Sequence, residues 1–330
     1  MRFFGKSVRT ANMRIIGSAL SVLGSLAACA AVGAQIGATN PPRSLARNTP
    51  SGRAGDLPEA RAQTILEQTI FVLESQRSLA ATIRHRADLF GRAPVGMGTY
   101  QEERRGPGLE GQLRFRHELR TQVGDQPCNL VEVCDGRHLW QYRELGDTRT
   151  LSRIDVGRVQ RALEESGDIT QLRKVDKWLG LGGLPRLLRG LHSSFRFELE
   201  GEGRLGADLP ALKLRGEWNQ QKLCELLPDQ QEAIAAGARP DLSRLPDHVA
   251  DHVLLYVGKA DRLPYRIEYR RREAEQGRAG QGGARTLLSV EIEVRLNVPV
   301  DATRFAYQPP GDLQPSEQTL DFLKTLGLER

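Results

Sequence analysis

The stretch Leu113-Arg114-Phe115-Arg116-His117-Glu118-Leu119-Arg120 decides the fold of this chain. Apolar or aromatic residues occupy the odd positions and charged residues the even ones, with His117 as the one ambiguous residue. Successive side chains of a β-strand point to opposite faces, so the stretch predicts a strand with one apolar and one charged face. Such a strand is typical of an antiparallel sheet that packs on one side and faces water on the other.

Similar alternating runs lie on both sides of this stretch. Between Leu79 and Asp155 they follow one another with turn-like breaks and no intervening helix, which predicts a meander rather than a parallel α/β fold. Further runs return at Phe195 and continue to Leu296. The total is about ten strands, and a twisted sheet of that size curls or closes. We therefore predict an α+β fold in which a curved antiparallel sheet forms an unclosed β-barrel.

Helical patterns flank and interrupt the predicted strands. Residues 59–76 predict an N-terminal amphipathic helix, whose apolar stripe is Ala62, Ile65, Leu66, Thr69, Ile70 and Leu73. Shorter helices are predicted at residues 156–166, around Leu184 to Leu191, within an irregular insertion at about 219–250, and after Ser316. We expect these helices to cover the concave apolar face of the sheet, unless a ligand fills it.

Residues 1–28 have the composition of a secretory signal. Basic residues end at Arg14, an apolar run follows that is too short for a membrane span, and the sequence then reads Leu26-Ala27-Ala28-Cys29. These four residues resemble the lipobox of bacterial lipoproteins, which implies acylation of Cys29 and anchoring in a membrane. Cleavage after Ala34, which would leave a soluble periplasmic protein, is the alternative. Both interpretations predict export to the periplasmic side of the cell envelope.

The remainder divides into a tether and one domain. Residues 29–55 are rich in proline and glycine, with almost no large apolar side chains, and predict a flexible tether. Residues 56–330 are predicted to form a single β-rich domain that contains the insertion. The net charge of +6 is concentrated in the leader, because the rest of the chain has 43 basic and 41 acidic residues. This balance gives little support for a nucleic-acid partner.

Three cysteines fall within the predicted domain. Cys128 and Cys134 lie on one predicted strand, which places them roughly 20 Å apart and too far for a disulfide. Either could reach Cys224, or all three could stay reduced.

Motifs that would indicate catalysis are weak. The Gly-x-Gly-x-x-Gly spacings that begin at Gly106 and Gly201 lie between strands rather than before a helix, and hairpin turns explain them. His248 and His252 have a spacing that could hold zinc on a helix, but no third ligand is evident, so we interpret them as surface or capping residues. The sequence predicts no enzyme activity, no metal and no cofactor.

Other ionisable residues have simple structural interpretations. His85 and His117 fall on apolar strand faces, where a histidine is more often a satisfied core residue than a ligand. The carboxylates lie beside arginines on predicted wet faces and are interpreted as solubilising charges.

The order of elements resembles the periplasmic lipoprotein-carrier superfamily, which comprises LolA-like proteins and related lipid-binding lipoproteins. A secretory leader, an amphipathic helix, a one-sided meander, a helical break, further strands and the ending Phe305-Ala306-Tyr307-Gln308-Pro309-Pro310-Gly311 carry the resemblance over residues 59–326. It implies an unclosed barrel, with helices at its mouth, that holds acyl chains. The insertion at 219–250 departs from this pattern.

Two hypotheses about function follow. The first is a non-catalytic envelope protein that binds lipid or acyl chains in an apolar half-barrel cavity, either to carry or to sense them. The alternative is an envelope scaffold or sensor that binds a protein partner with the same fold. For the first hypothesis, the predicted ligand-pocket residues are Ile83, Leu89, Leu113, Phe115 and Leu119, and Cys29 is the predicted site of lipid attachment.

Overall fold

The computed structural model describes seven stretches of the chain, which are residues 58–88, 93–105, 112–123, 126–166, 183–206, 208–272 and 283–328. The predicted signal peptide, the lipobox with Cys29 and the tether all lie outside these described residues. Leu89 and the motif that begins at Gly106 lie outside them as well.

One twelve-stranded sheet forms the framework of the described chain. The strands are β1 (Ser78–Ala87), β2 (Val95–Arg105), β3 (Gln112–Val123), β4 (Gln126–Cys134), β5 (His138–Leu145), β6 (Thr148–Asp155), β7 (Phe195–Leu205), β8 (Leu209–Trp218), β9 (His252–Gly258), β10 (Pro264–Arg272), β11 (Ala284–Leu296) and β12 (Ser316–Glu317). The prediction of an unclosed, mostly antiparallel sheet in an α+β fold is confirmed, with twelve strands rather than about ten.

Six α-helices accompany the sheet in the described ranges. They are α1 (Pro58–Glu74), α2 (Val156–Ser166), α3 (Gly183–Ser194), α4 (Gln220–Leu226), α5 (Gln231–Ala235) and α6 (Thr319–Leu326). Short 3-10 turns occur at Pro228–Gln230, Leu242–Arg244 and Ala302–Phe305. Within the described residues, no helix has both the length and the apolar character needed to cross a bilayer.

The order of the strands places the first one near the middle of the sheet. From edge to edge the order is β12-β6-β5-β4-β3-β2-β1-β11-β10-β9-β8-β7. Strands β1 to β6 form one meander, and the connection that contains α2 and α3 then leads to the opposite edge, where β7 begins a second meander. The second meander returns to the first at β1 and β11, where Leu79 pairs with Leu296.

A single apolar core fills the concave side of the sheet. It includes side chains from every strand from β1 to β11 and from α1, α2, α3 and α6. Helix α1 packs beside β7 and α3, and its buried side chains are the six residues of the predicted stripe. The predicted cover of short helices over the concave face is therefore confirmed.

The C-terminal segment passes around the β6 edge of the sheet. The backbone carbonyl of Arg304 accepts a hydrogen bond of 3.3 Å from Arg116 on the convex face, and the ring of Tyr307 lies 5.7 Å from that of Trp140. The chain then adds β12 parallel to β6. Helix α6 follows, and it buries Leu323 in the concave core. The segment therefore covers both faces near this edge.

Helices α4 and α5 and two 3-10 turns form the predicted insertion. It has a small core of its own, which consists of Leu223, Leu227, Ile234, Leu245 and Val249. The guanidinium of Arg271 on β10 fixes the end of the insertion, because it donates hydrogen bonds to the carbonyls of Pro246 (2.6 Å), Val249 (3.0 Å) and Leu245 (2.8 Å). The insertion is thus attached to the sheet through backbone acceptors.

Two further sequence interpretations can be checked in the fold. Cys128, Cys134 and Cys224 are all free thiols, so the structure contains neither of the two disulfides that were left open. The glycine motif that begins at Gly201 lies in β7 and in its turn to β8, where Gly206 has a φ of +61°. The hairpin interpretation of this motif is confirmed.

Candidate functional site

The candidate site is the concave face around β1 to β4, where the sheet register aligns inward-facing residues in rows. One row contains Ile83, Gly98, Leu119 and Leu130. The next row contains Ala81, Tyr100, His117, Glu132 and Gln141. An apolar row and a polar row therefore lie side by side on the same face.

Four predicted pocket residues lie buried on this face. Ile83, Leu113 and Phe115 belong to the main core, and Leu119 is also buried. The ring of Phe115 has no exposed surface and stacks on Tyr100 with 5.9 Å between ring centroids. These positions agree with the predicted inward face of β3, whereas a role in ligand contact stays a prediction.

Two inward positions of β2 are glycines, and side chains of the neighbouring strands lie over them. A Cβ atom on Gly96 would lie 2.1 Å from Cε1 of His85, and a Cβ on Gly98 would lie 2.4 Å from the backbone oxygen of Glu118. Neither distance is possible for a real side chain. The imidazole of His85 therefore lies over Gly96, in space that a larger residue would occupy.

Glu102 of β2 holds the first turn of α3 against the concave face of the sheet. Its Oε2 accepts hydrogen bonds from the Tyr100 hydroxyl (2.6 Å) and from the backbone N–H of Leu184 (3.2 Å), and its Oε1 accepts two from Arg104 at 3.2 Å. Burial, together with the neighbouring charge of Glu102, raises the pKa of Tyr100 well above its usual value. The hydroxyl therefore stays protonated and remains a donor.

Close approach at the start of α3 requires glycine. A Cβ on Gly183 would lie 2.1 Å from Oε2 of Glu102, and the residue has a φ of +66°. Glycine reaches this backbone region without the steric cost that other residues incur. The carboxylate can therefore contact the helix end directly.

His117, Glu132 and Gln141 form a second buried polar group. Nδ1 of His117 lies 3.1 Å from Oε2 of Glu132, and the amide of Gln141 donates to Oε1 of Glu132 at 2.7 Å. Burial alone would raise the pKa of Glu132, but the hydrogen bond and charge of His117, supported by Gln141, lower it overall. Glu132 is therefore an ionised carboxylate inside the fold.

One nitrogen of each of two buried histidines has no hydrogen-bond partner within the described structure. These atoms are Nδ1 of His85, whose side chain is 4% exposed, and Nε2 of His117, which has no exposed surface. Burial and, to a smaller extent, the charge of His117 lower the pKa of His85 to about 4. His85 and His117 are core residues, as interpreted from the sequence, but each has one nitrogen whose hydrogen-bonding capacity is not satisfied.

Two buried carboxylates and one buried histidine correct the sequence analysis. Glu102 and Glu132 were assigned to wet faces, but both are buried because Arg104 and His117 supply hydrogen-bond partners. His252 is also buried and contacts Asp251 through Nδ1, so the surface interpretation is wrong for it, although it holds for His248. Within the described ranges, no three His, Cys, Asp or Glu side chains are grouped so that they could hold a metal.

The helical cover occupies the concave face with its own apolar side chains. Leu66 and Leu73 of α1 and Leu187 and Leu188 of α3 are all buried there. Two surface depressions of the described chain lie on the insertion, and one of them is lined by Gln220, Cys224 and Gln231 with three further residues. A ligand would therefore reach the concave face by displacing a helix.

Comparison with known proteins finds only distant structural likeness. No protein-family model and no curated protein matches the sequence. The fold is similar to LprF from Mycobacterium bovis (TM-score 0.38, 11% identity, 76% of this chain and 100% of that one). It is also similar to the LolA superfamily protein NE2245 from Nitrosomonas europaea (0.24, 14%, 74% and 97%).

A third similar structure is the MucA/MucB complex of Pseudomonas aeruginosa (TM-score 0.32, 12% identity, 78% of this chain and 63% of that one). The TM-scores of all three lie below 0.5, so these likenesses establish no function for this chain.

Proposed function

We propose that this chain is a non-catalytic protein of the cell envelope that binds lipid or acyl chains against the concave face of its open sheet. The observation that supports this proposal is the apolar core, which extends over β1 to β11 and is covered by helices rather than by a second sheet. A helix makes its backbone hydrogen bonds internally, so it can move away from a sheet without breaking them.

Two contacts at the rim join the covering helices α1 and α3 to each other and not to the sheet. Arg189 of α3 forms an ion pair with Glu74 of α1 at 2.7 Å, and His192 contacts Gln63 at 2.6 Å. Exposed ion pairs contribute only about 0–1 kcal/mol each. Burial of an acyl chain would compensate for the exposed core, since each methylene removed from water contributes about 0.8 kcal/mol.

The first test of this proposal is the analysis of lipid in purified protein. We expect organic extracts of the full chain to contain acyl chains by mass spectrometry, and we expect the protein to enhance the fluorescence of N-phenyl-1-naphthylamine. Phe115→Arg places a charge in the apolar core and should reduce this uptake at least several-fold, because an unpaired buried charge is costly.

The matched control is Arg116→Ala, which changes the neighbouring residue on the convex face and should leave uptake unchanged. Far-ultraviolet circular dichroism distinguishes loss of binding from loss of folding in each variant. If Phe115→Arg does not fold, the lipid content of the wild type still decides the question. A folded wild type with no extracted lipid and no probe uptake would reject lipid binding and favour the alternative, a scaffold that binds a protein partner.

The proposal places the protein at the periplasmic face of the envelope, attached through acylated Cys29 and the tether of residues 29–55. We expect labelled palmitate to be incorporated in a Gram-negative host by the wild type and not by Cys29→Ser. An unmodified mature N-terminus at Gln35 would contradict anchoring and would support cleavage after Ala34, which leaves a soluble periplasmic protein.

A further inference from the structure

The polar row of the concave face contains a hydrogen-bonding atom that the fold itself does not satisfy. Nε2 of His117 is buried and has no partner in the described part of the chain. Nearly all buried polar atoms in folded proteins have a partner, and one without a partner destabilises the folded state. On this mostly apolar face, such an atom indicates that a group from outside the described chain supplies the partner.

The neighbours of His117 determine what this atom can bind. Glu132 is ionised and can only accept hydrogen bonds, so Nδ1 of His117 must carry a proton and donate it to Oε2 of Glu132 at 3.1 Å. In a neutral imidazole the other nitrogen is then a bare acceptor. For this neutral form of His117, which carries its single proton on Nδ1, the missing partner of Nε2 is therefore a hydrogen-bond donor.

The two glycines of β2 leave the positions next to His117 to side chains from the neighbouring strands. Gly98 contributes no side chain to the row next to His117, and His85 lies over Gly96 beyond it with Nδ1 also unpartnered. Leu119 and Ile83 supply the apolar surroundings. The face thus presents the Nε2 acceptor of His117 among aliphatic side chains. The ionised carboxylate of Glu132 lies close to this atom and disfavours an anionic group.

We propose that the aliphatic ligand of this protein carries a hydroxyl group and that this hydroxyl donates a hydrogen bond to Nε2 of His117. The inference rests on the proposed lipid-binding function and specifies the chemistry of its ligand. Glu132 acts as a positioning residue, because it fixes the tautomer of His117, and Gln141 fixes Glu132. A hydroxyl suits this position because it supplies a donor without a charge.

The experiment measures displacement of N-phenyl-1-naphthylamine from the full chain at pH 8 by two matched pairs of ligands. Dodecan-1-ol and dodecyl methyl ether differ in the donor at the end of the chain. 3-Hydroxydodecanoic acid and dodecanoic acid differ in a hydroxyl within the chain. We expect the hydroxylated member of one pair to bind on the order of five-fold more tightly, which is the typical effect of one hydrogen bond. The pair that shows the preference tells whether the hydroxyl belongs to a head group or to an acyl chain.

Glu132→Gln tests the role of the tautomer. Because Gln141 donates to Oε1, the new amide turns its nitrogen towards His117 and donates to Nδ1, which moves the imidazole proton to Nε2. The alcohol should then lose its preference over the ether, which can accept from Nε2–H. Glu118→Gln makes the same substitution on the convex face of β3 and should leave the preference as in the wild type.

The outcomes separate this inference from the proposed function. Probe uptake with equal affinity for both members of each pair would reject the hydroxyl inference, because it would show that internal water satisfies Nε2, while lipid binding would stand. A preference that persists unchanged in Glu132→Gln would reject the role of His117. Absence of probe uptake in the folded wild type would overturn the proposed function and the inference together.

Discussion

Burial of His85 links the stability of the folded chain to pH. The folded state lowers its pKa from 6.5 to about 4, with desolvation as the larger cause and the charge of His117 as the smaller. The unfolded chain binds the proton at the ordinary pKa, so protonation favours unfolding. The contribution of His85 is complete above pH 6.5 and is lost as the pH falls towards 4, by about 3 kcal/mol for a shift of this size.

We therefore expect His85→Gln to flatten the pH dependence of stability between pH 6.5 and 4. The measurement is the free energy of unfolding in urea at several pH values across this window. His138→Gln makes the same substitution at a partly exposed histidine at the start of β5 and serves as the control for the exchange itself. Identical slopes for the wild type and His85→Gln would show that burial does not perturb this imidazole.

Alternation along a strand identifies buried positions better than residue chemistry does. Glu102 shares its parity with Tyr100, and Glu132 shares its parity with Leu130 and Cys134, so alternation alone would place on the inward face two carboxylates that were assigned to wet faces. Their charge argued against burial, because an unpaired buried carboxylate is strongly unfavourable. Glu132 has its hydrogen-bond partners on β3 and β5, and Glu102 has one partner on α3 besides two on its own strand. One sequence does not show which strands and helices are neighbours.

At the scale of the elements, the attachment of the insertion to the sheet depends on the side chain of Arg271. Arg271 donates hydrogen bonds from both terminal nitrogens to backbone carbonyls at the end of the insertion. Lysine has one nitrogen in place of the planar fork and cannot reproduce this arrangement. Another contact between the sheet and the end of the insertion is the hydrogen bond of 2.7 Å that Trp218 donates to the carbonyl of Ala250.

Arg271→Lys should therefore loosen the insertion without unfolding the sheet. We expect faster amide hydrogen exchange over residues 219–250, with a local cost of about 1–3 kcal/mol, and little change in β1 to β4. Arg272→Lys is the matched control, because this neighbour forms a half-exposed ion pair with Glu217 at 2.8 Å. Equal exchange rates in the two variants would mean that Arg271 does not fix the insertion.

Element types could be predicted from periodicity, but their arrangement could not. The stripe of α1 and the alternation of β3 were clear because each repeats over several turns or residue pairs. Strand β12 has two residues and therefore no period to detect. The inward face of the meander was predicted in the same way. The hydrogen bond from the Leu184 N–H to Glu102 depends instead on how α3 is positioned, which periodicity does not encode.

At the scale of the whole molecule, the C-terminal segment closes the β6 edge. Leu323 of α6 is 5% exposed and lies in the concave core, whereas Leu320, one turn earlier, is 53% exposed. Leu323→Asp should detach α6 and uncover this edge of the sheet. Because an exposed edge strand can pair with another chain, the variant should self-associate. Leu320→Asp should leave the protein unchanged. Size-exclusion chromatography with light scattering measures the result, and a monomeric Leu323→Asp variant of wild-type stability would contradict this role.

The pairing of β1 with β11 has a consequence for biosynthesis. A chain made from its N-terminus produces β1 to β6 early, and these strands can pair locally as hairpins. The other neighbour of β1 arrives roughly 200 residues later, and contacts of such high sequence separation form slowly. Until then β1 is an unprotected edge that offers its backbone groups to any other nascent strand. A translation product that stops before Ala284 is therefore the form of this protein that we expect to aggregate.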